Sequence, residues 1–186
     1  MTEPPDTDRV EILSERELGR TLARLATQVL ETVDDSRTLM LLGIPTRGVQ
    51  LSKVLARELE RLSGHAIAQG AIDPTFHRDD LERIGTRLPQ VTTLPNSVEG
   101  RQVVLVDDVI FTGRTVRAAL EALQSWGRAQ RVMLLAMVDR GHRELPIQPD
   151  FCGRVVPTRR SETIELRLRD VDGEEGVFLR RITWPS

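Results

Sequence analysis

Three short, almost wholly apolar runs constrain this chain most: Thr38–Ile44, Val103–Val106 and Arg131–Val138. They lack the in–out alternation of a half-wetted strand, which is the pattern of strands covered on both faces in a parallel sheet. Helical patterns lie between them. Ser14-Glu15-Arg16-Glu17 reads as a capping box, and Leu18, Leu22, Leu25, Val29 and Val33 follow at helical spacing. Leu51, Val54, Leu55, Leu59 and Leu62 mark a second helix ending near Gly64, and Thr115–Trp126 a third. Ala66–Ile72 adds a further strand. This alternation predicts an α/β fold with a central, mostly parallel sheet flanked by helices. Such sheets bind ligands at the carboxyl ends of their strands. Three strand ends qualify: Pro45–Gly48, Asp107–Thr115 and Asp139–Arg143.

A length of 186 residues suits one domain. Hydrophobic residues at 39% and charged residues at 29% are ordinary for a packed chain and argue against disorder. No apolar run approaches the ~20 residues that span a membrane. Met1–Asp8 is polar and acidic, without a signal-peptide core, and Cys152 is the only cysteine, so no intrachain disulfide forms. These features point to the cytoplasm. A net charge of −2 excludes a generally sticky nucleic-acid binder and leaves room for a local basic face. Lys53, the only lysine, sits in Leu51-Ser52-Lys53-Val54, which excludes a P-loop. Asp73–Gly100 is long, polar and broken by Pro74, Pro89 and Pro95, as functional loops often are; part of it suits a β-hairpin. After Asp139 the strands become shorter and more polar, roughly Ile164–Leu168 and Val177–Ile182.

The chemistry concentrates in Val103–Thr115. A buried strand delivers the adjacent carboxylates Asp107 and Asp108, a loop with Thr112, Gly113 and Thr115 follows, and a helix begins. Unpaired N–H groups and the positive dipole end of a helix N-terminus cradle phosphate. Gly113 permits close backbone approach, and the carboxylates match two ribose hydroxyls. Taken separately, either half has a plain structural reading: an acidic strand end, or a capped helix. A Walker B strand is a further alternative, but no P-loop accompanies it.

The combined string resembles the phosphoribosyl pyrophosphate motif of type I phosphoribosyltransferases. Leu42–Gly48, Ile72–Leu81 and Val138–Ile147 are similar to segments of one subgroup. That subgroup is the bacterial bifunctional pyrimidine operon attenuation protein and uracil phosphoribosyltransferase. The resemblance implies a single domain over residues 10–186 after a flexible tail at 1–9, a mobile flap at about 73–100 and a small C-terminal hood at about 139–186. It implies that Asp107 and Asp108 hold the ribose, and that Thr112, Gly113, Arg114 and Thr115 hold the 5-phosphate. Thr46 and Arg47 would grip pyrophosphate, Arg78 would act from the flap in catalysis, and Val138, Asp139 and Arg140 would read the base. Mg²⁺ would arrive with its substrate rather than in a protein cage. Implied partners are phosphoribosyl pyrophosphate, uracil, UMP, pyrimidine-operon leader RNA and further copies of the chain.

Two function classes therefore coexist, an enzyme and an RNA-binding regulator. Arg16, Arg20 and Arg24 recur every fourth residue on the side of the first helix away from its leucines. Alone, such a stripe reads as a solvated face. Arg140, His142 and Arg143, then Arg159 and Arg160, form further basic clusters. With the resemblance, these become candidate RNA contacts. Purine phosphoribosyltransferases share the Asp-Asp…Thr-Gly-Arg-Thr string and are the competing enzyme reading, one without an RNA role. His65, His77, Trp126, Trp184 and Cys152 show no partner pattern and read as packing or surface residues.

Overall fold

The computed structural model describes residues 9–77, 92–94 and 97–181. The chain opens with strand β1 (Arg9–Ser14) and helix α1 (Glu15–Thr32). The capping box forms at the junction: the Ser14 N–H and hydroxyl donate to the Glu17 carboxylate at 3.0 and 2.7 Å. These bonds draw the Glu17 pKa below its ordinary value. Strand β2 (Leu39–Gly43) leads into helix α2 (Arg47–Ser63), which stops at Gly64 in the left-handed conformation that glycine tolerates best. Strands β3 (Ala68–Ala71) and β4 (Gln102–Ile110), helix α3 (Arg114–Leu123) and strands β5 (Arg131–Asp139), β6 (Phe151–Val155) and β7 (Glu162–Arg167) follow. A four-residue helix α4 (Arg169–Asp172) and strand β8 (Gly176–Arg181) complete the described chain.

Five strands form a sheet in the order β3-β2-β4-β5-β6, every pair parallel. Its two faces are separate cores. Leu39, Leu41, Val104, Val106, Met133 and Leu135 pack against α1, α2 and the strands β7 and β8. Met40, Leu42, Val103, Leu105, Leu134 and Ala136 pack against α3. All twelve are nearly inaccessible, which explains their runs without polar alternation; each buried side chain of this size contributes ~1.5–3 kcal/mol.

The second sheet is antiparallel, in the order β1-β8-β7. It is the small hood, and it differs from expectation in two ways. First, its outer strand comes from the N-terminus, where β1 pairs with β8 from Arg9↔Arg180 to Ser14↔Gly176. Second, β6 does not belong to it. Phe151–Val155 joins the main sheet beside β5, although it lies within the 139–186 span assigned to the hood. As a short edge strand with Cys152, Gly153 and Arg154 in its middle, it lacks the apolar run that betrays the central strands.

Within the expected flap, residues 78–91, 95 and 96 lie outside the described residues, Arg78 among them. What is described at its borders is a short turn at Thr75–His77 and an antiparallel bridge between Ala71 and Thr93. Among the described residues, no helix is long and apolar enough to cross a membrane.

Candidate active site

The three strand ends singled out in the sequence meet at the carboxyl edge of the main sheet. Strand β4 runs further than expected, through Asp107 and Asp108 to Ile110, paired beyond Val106 with β5 alone. The two carboxylates therefore sit on extended backbone, where neighbouring side chains point to opposite faces. Asp107 is buried, and its Oδ1 accepts the Asp108 N–H at 3.0 Å. Asp108 is half-buried, and among the described residues no ion pair or hydrogen bond engages its carboxylate.

The turn between β4 and α3 is built around Gly113. Gly113 caps α3 in the left-handed conformation at φ 91°, and Thr112 Oγ1 accepts the Arg114 N–H at 3.4 Å. The first turn of α3 contains no carboxylate, so nothing on the helix itself competes for its N–H groups. The segment after β5 closes over this turn: Glu144 and Leu145 donate their N–H groups to Thr112 O at 3.0 and 3.2 Å. Arg114 Nε reaches Glu144 at 3.0 Å.

At the end of β2, the Pro45–Thr46 peptide bond is cis and Thr46 is exposed. Helix α2 starts at once, pressed against β4. A Cβ on Gly48 would lie 2.3 Å from Val106 O, and one on Gly43 2.5 Å from Val49 Cα. Glycine at both positions lets the Thr46–Arg47 turn approach Asp107. Arg47 does not point free into the cleft. Its Nη1 and Nη2 bind the two oxygens of Asp172 at the end of α4, at 2.9 and 2.6 Å.

The loop after β5 is held from within. Asp139 accepts the Gly141 N–H at 2.9 Å and Arg143 Nη2 at 2.5 Å. Arg143 also binds Ile147 O and Phe111 O, at 2.8 and 2.7 Å. Arg140 is buried over the Phe111 ring, 4.2 Å from its centroid, and donates to Thr158 Oγ1 and Arg159 O, both at 3.0 Å. Burial pulls the Arg140 pKa below the ordinary arginine value, opposed by the charge of Glu162. His142 takes a left-handed φ of 61° and bonds through Nε2 to Thr158 O at 2.6 Å, which assigns the proton to Nε2.

The remaining expected residues are placed as follows. The Val138 side chain is fully buried in the core. Arg143 donates to four acceptors, on Ile147, Phe111, Asp139 and Gln148. Arg16, Arg20 and Arg24 are exposed on α1, away from the site; Arg24 is tied to the β6 carbonyls of Cys152 and Gly153, at 3.3 and 2.6 Å. Arg159 and Arg160 are exposed beside the Asp139 loop, with Arg160 Nη1 3.7 Å from Glu144. Sequence reasoning missed Phe111, Thr158 and Asp172. Phe111 stood inside the motif as a mere spacer, and the other two lie in stretches without periodicity.

A parallel sheet whose carboxyl edge gathers paired carboxylates, a glycine-capped helix start and the loop after β5 has the architecture of a phosphoribosyltransferase. The Phosphoribosyl transferase domain family matches residues 8–159. Solved structures agree on the fold. A hypoxanthine phosphoribosyltransferase from Staphylococcus aureus superposes with a TM-score of 0.71 at 16% identity, covering 97% of each chain. The Trypanosoma cruzi enzyme in a ternary substrates complex gives 0.70 at 16% identity, covering 92% of this chain and 94% of that one. Identity is much higher to proteins named Bifunctional protein PyrR. The Synechocystis sp. relative is 54% identical over 170 residues, 91% of this chain and 96% of the relative. The Leifsonia xyli relative is 46% identical over 173 residues, 90% and 94% of the two chains. The chain belongs to the bifunctional PyrR family of phosphoribosyltransferases.

Proposed function

We propose that the chain transfers the phosphoribosyl group of phosphoribosyl pyrophosphate to uracil, giving UMP and pyrophosphate, and that it also regulates pyrimidine genes as a UMP-dependent RNA-binding attenuator. The convergence of Asp107 and Asp108, the Thr112–Thr115 turn and the Asp139–Arg143 loop at one sheet edge carries the enzymatic half. In this reading Asp108 and Asp107 orient the ribose hydroxyls, and Thr112, Gly113, Arg114 and Thr115 hold the 5-phosphate. Thr46 and Arg47 take the pyrophosphate. Asp139 and Arg140, with the Val138 backbone, form the base side above Phe111. Arg78 keeps the flap role that the family resemblance implies.

Breaking the C1–O bond leaves positive charge on the sugar and negative charge on pyrophosphate. Rate then comes from holding ring and base in line and from fixed donors at the departing phosphates. Mg²⁺ supplies charge neutralisation on the pyrophosphate when bound. Among the described residues no three His, Cys, Asp or Glu side chains converge as a cage. The oxygen donors that fit the ion are the Asp107 and Asp108 carboxylates, with substrate oxygens completing its shell.

For RNA, the contacts that remain open are Arg16 and Arg20 on α1 and Arg159 and Arg160 beside the base loop. A cytoplasmic, homo-oligomeric protein accords with this reading. The decisive experiment supplies phosphoribosyl pyrophosphate, Mg²⁺ and each free base in turn. UMP should form from uracil alone; IMP or GMP would replace this reading with the purine alternative. Gel shifts of pyrimidine-leader hairpins, with and without UMP, test the regulatory half. It falls if no hairpin outcompetes scrambled RNA.

A further inference from the structure

The Arg47–Asp172 pair joins the expected pyrophosphate turn to the hood. Both terminal nitrogens of Arg47 face the Asp172 carboxylate, its only partner among the described residues. The carboxylate is 7% exposed and the guanidinium 30%. Asp172 is also anchored on its own side, since its Oδ2 accepts the Leu168 N–H at 2.8 Å and closes the turn of α4. Burial disfavours its charge, but the Leu168 N–H and Arg47 outweigh that and hold its carboxyl below the usual carboxylate range. A second link between α2 and α4, Arg57 with Asp170 at 3.3 Å, is about 70% exposed on both sides and weak by comparison.

A guanidinium fork matches phosphate as well as carboxylate, and one fork end serves one bidentate partner at a time. With Asp172 in place, the fork is occupied and its charge is cancelled. A polyanion entering at Thr46–Arg47 meets a neutral pair with a sheltered negative charge behind it. We propose that Asp172 is a positioning residue that parks Arg47 on the hood and competes with pyrophosphate for it, so that pyrophosphate binding takes the arginine over and loosens the hood at α4. This rests on reading Thr46–Arg47 as the pyrophosphate turn. It assigns the hood a second task besides covering the base: it sets how tightly the diphosphate end is held.

Asp172→Asn removes the charge and retains an oxygen that accepts the Leu168 N–H. Calorimetry of Mg²⁺–pyrophosphate binding should be run on wild type, Asp172→Asn, Arg47→Ala and the double variant. Asp172→Asn should tighten pyrophosphate about tenfold, the equivalent of roughly 1.4 kcal/mol. It should lower KM for phosphoribosyl pyrophosphate and leave UMP binding unchanged. Arg47→Ala should weaken pyrophosphate, and Asp172→Asn added to it should do nothing further, since the competition acts only through Arg47. A purely structural role for Asp172 would produce losses, not a gain specific to one ligand. If Arg47→Ala weakens pyrophosphate while Asp172→Asn leaves it equal or weaker, the competition is refuted and the turn assignment stands. If Arg47→Ala changes nothing, the turn assignment itself fails. The unmutated protein provides a separate arm: pyrophosphate, but not uracil, should accelerate amide exchange at Leu168 and Asp172. Unchanged protection there would overturn the release of the hood.

Discussion

Replacing Gly48 by alanine tests whether the close approach of α2 to β4 sets the geometry of the site. The added methyl would lie 2.3 Å from Val106 O, and also 3.2 Å from Val106 C and 3.3 Å from Asp107 Cα. The carbonyl cannot simply turn away, because it already accepts the Ile44 N–H at 2.9 Å. The start of α2 must move outward instead. Reaching ordinary contact requires about 1 Å, and misplacements of that size around a reacting centre cost about a hundredfold in rate. Overpacking of this kind costs ~1–3 kcal/mol of stability. For a chain of this size each kcal/mol lowers the melting temperature by about 2–4 °C. Gly48→Ala should therefore melt several degrees lower and lose about a hundredfold in kcat/KM for phosphoribosyl pyrophosphate. UMP binding should survive better, since the Thr112–Thr115 turn and the Asp139 loop are built on β4, β5 and α3 rather than on α2. Calorimetric melting and steady-state kinetics on the folded variant decide it. Wild-type melting together with wild-type kinetics would refute the argument.

Three further outcomes follow from the same geometry. Asn at both Asp107 and Asp108 should lower transferase activity at least about tenfold, near 1.4 kcal/mol of transition-state stabilisation; unchanged kinetics would remove them from the ribose. Partial burial first, and then the charge of Asp139, push the Cys152 thiol up, so iodoacetamide at mildly alkaline pH should label it far more slowly than a free cysteine, and labelling at the free rate would contradict the raised thiol. The Asp172 carboxyl titrates below its ordinary 3.8, so its ion pair stabilises the fold above that value and the contribution disappears as pH falls through the lowered one. Asp172→Asn should accordingly flatten the acid limb of a denaturant-stability profile; an acid limb identical to wild type would show that the pair contributes nothing to stability.

What was legible in the sequence was what burial and local backbone chemistry write into it. Strands β2, β4 and β5 are covered on both faces and so carry continuous apolar runs. The Ser14–Glu17 box and Gly64 mark helix ends through bonds within a few residues. The strand, acid pair and glycine turn of Asp107–Gly113 are contiguous and could be read as one unit. What escaped depends on partners distant in the chain. Strand β1 is recruited by β8, more than 160 residues away, and its own pattern of Val10, Ile12 and Leu13 is too short to signal a strand. Strand β6 is an edge, paired on one side only. Asp172 gains its meaning from Arg47, 125 positions earlier, and no local pattern announces such a pair. The RNA candidates show the same limit, since spacing grouped Arg140, Arg143, Arg159 and Arg160 by charge, while the fold buries Arg140, half-buries Arg143 and exposes the last two.

That division bears on how nucleotide and RNA could influence one another. UMP tightens RNA only if it favours one of two arrangements that RNA also distinguishes, and RNA must then tighten UMP by the same factor. The exposed arginines of α1 have no bond to the site; Arg24 ends on β6 carbonyls. In the proposed regulator they would supply phosphate contacts and the attendant salt dependence. Arg159 and Arg160 are placed differently. The Arg159 carbonyl is held by Arg140, whose guanidinium also binds Thr158 over Phe111 on the base side. Arg160 shares Glu144 with Arg114 at the start of α3. In the proposed reading, a base would press on the first link, and a 5-phosphate would draw Arg114 from the second. On that reading a ligand with both a base and a 5-phosphate would engage both links at once, which uracil or phosphate alone would not. In the proposed regulator, the 157–160 segment is therefore where nucleotide occupancy reaches the RNA face.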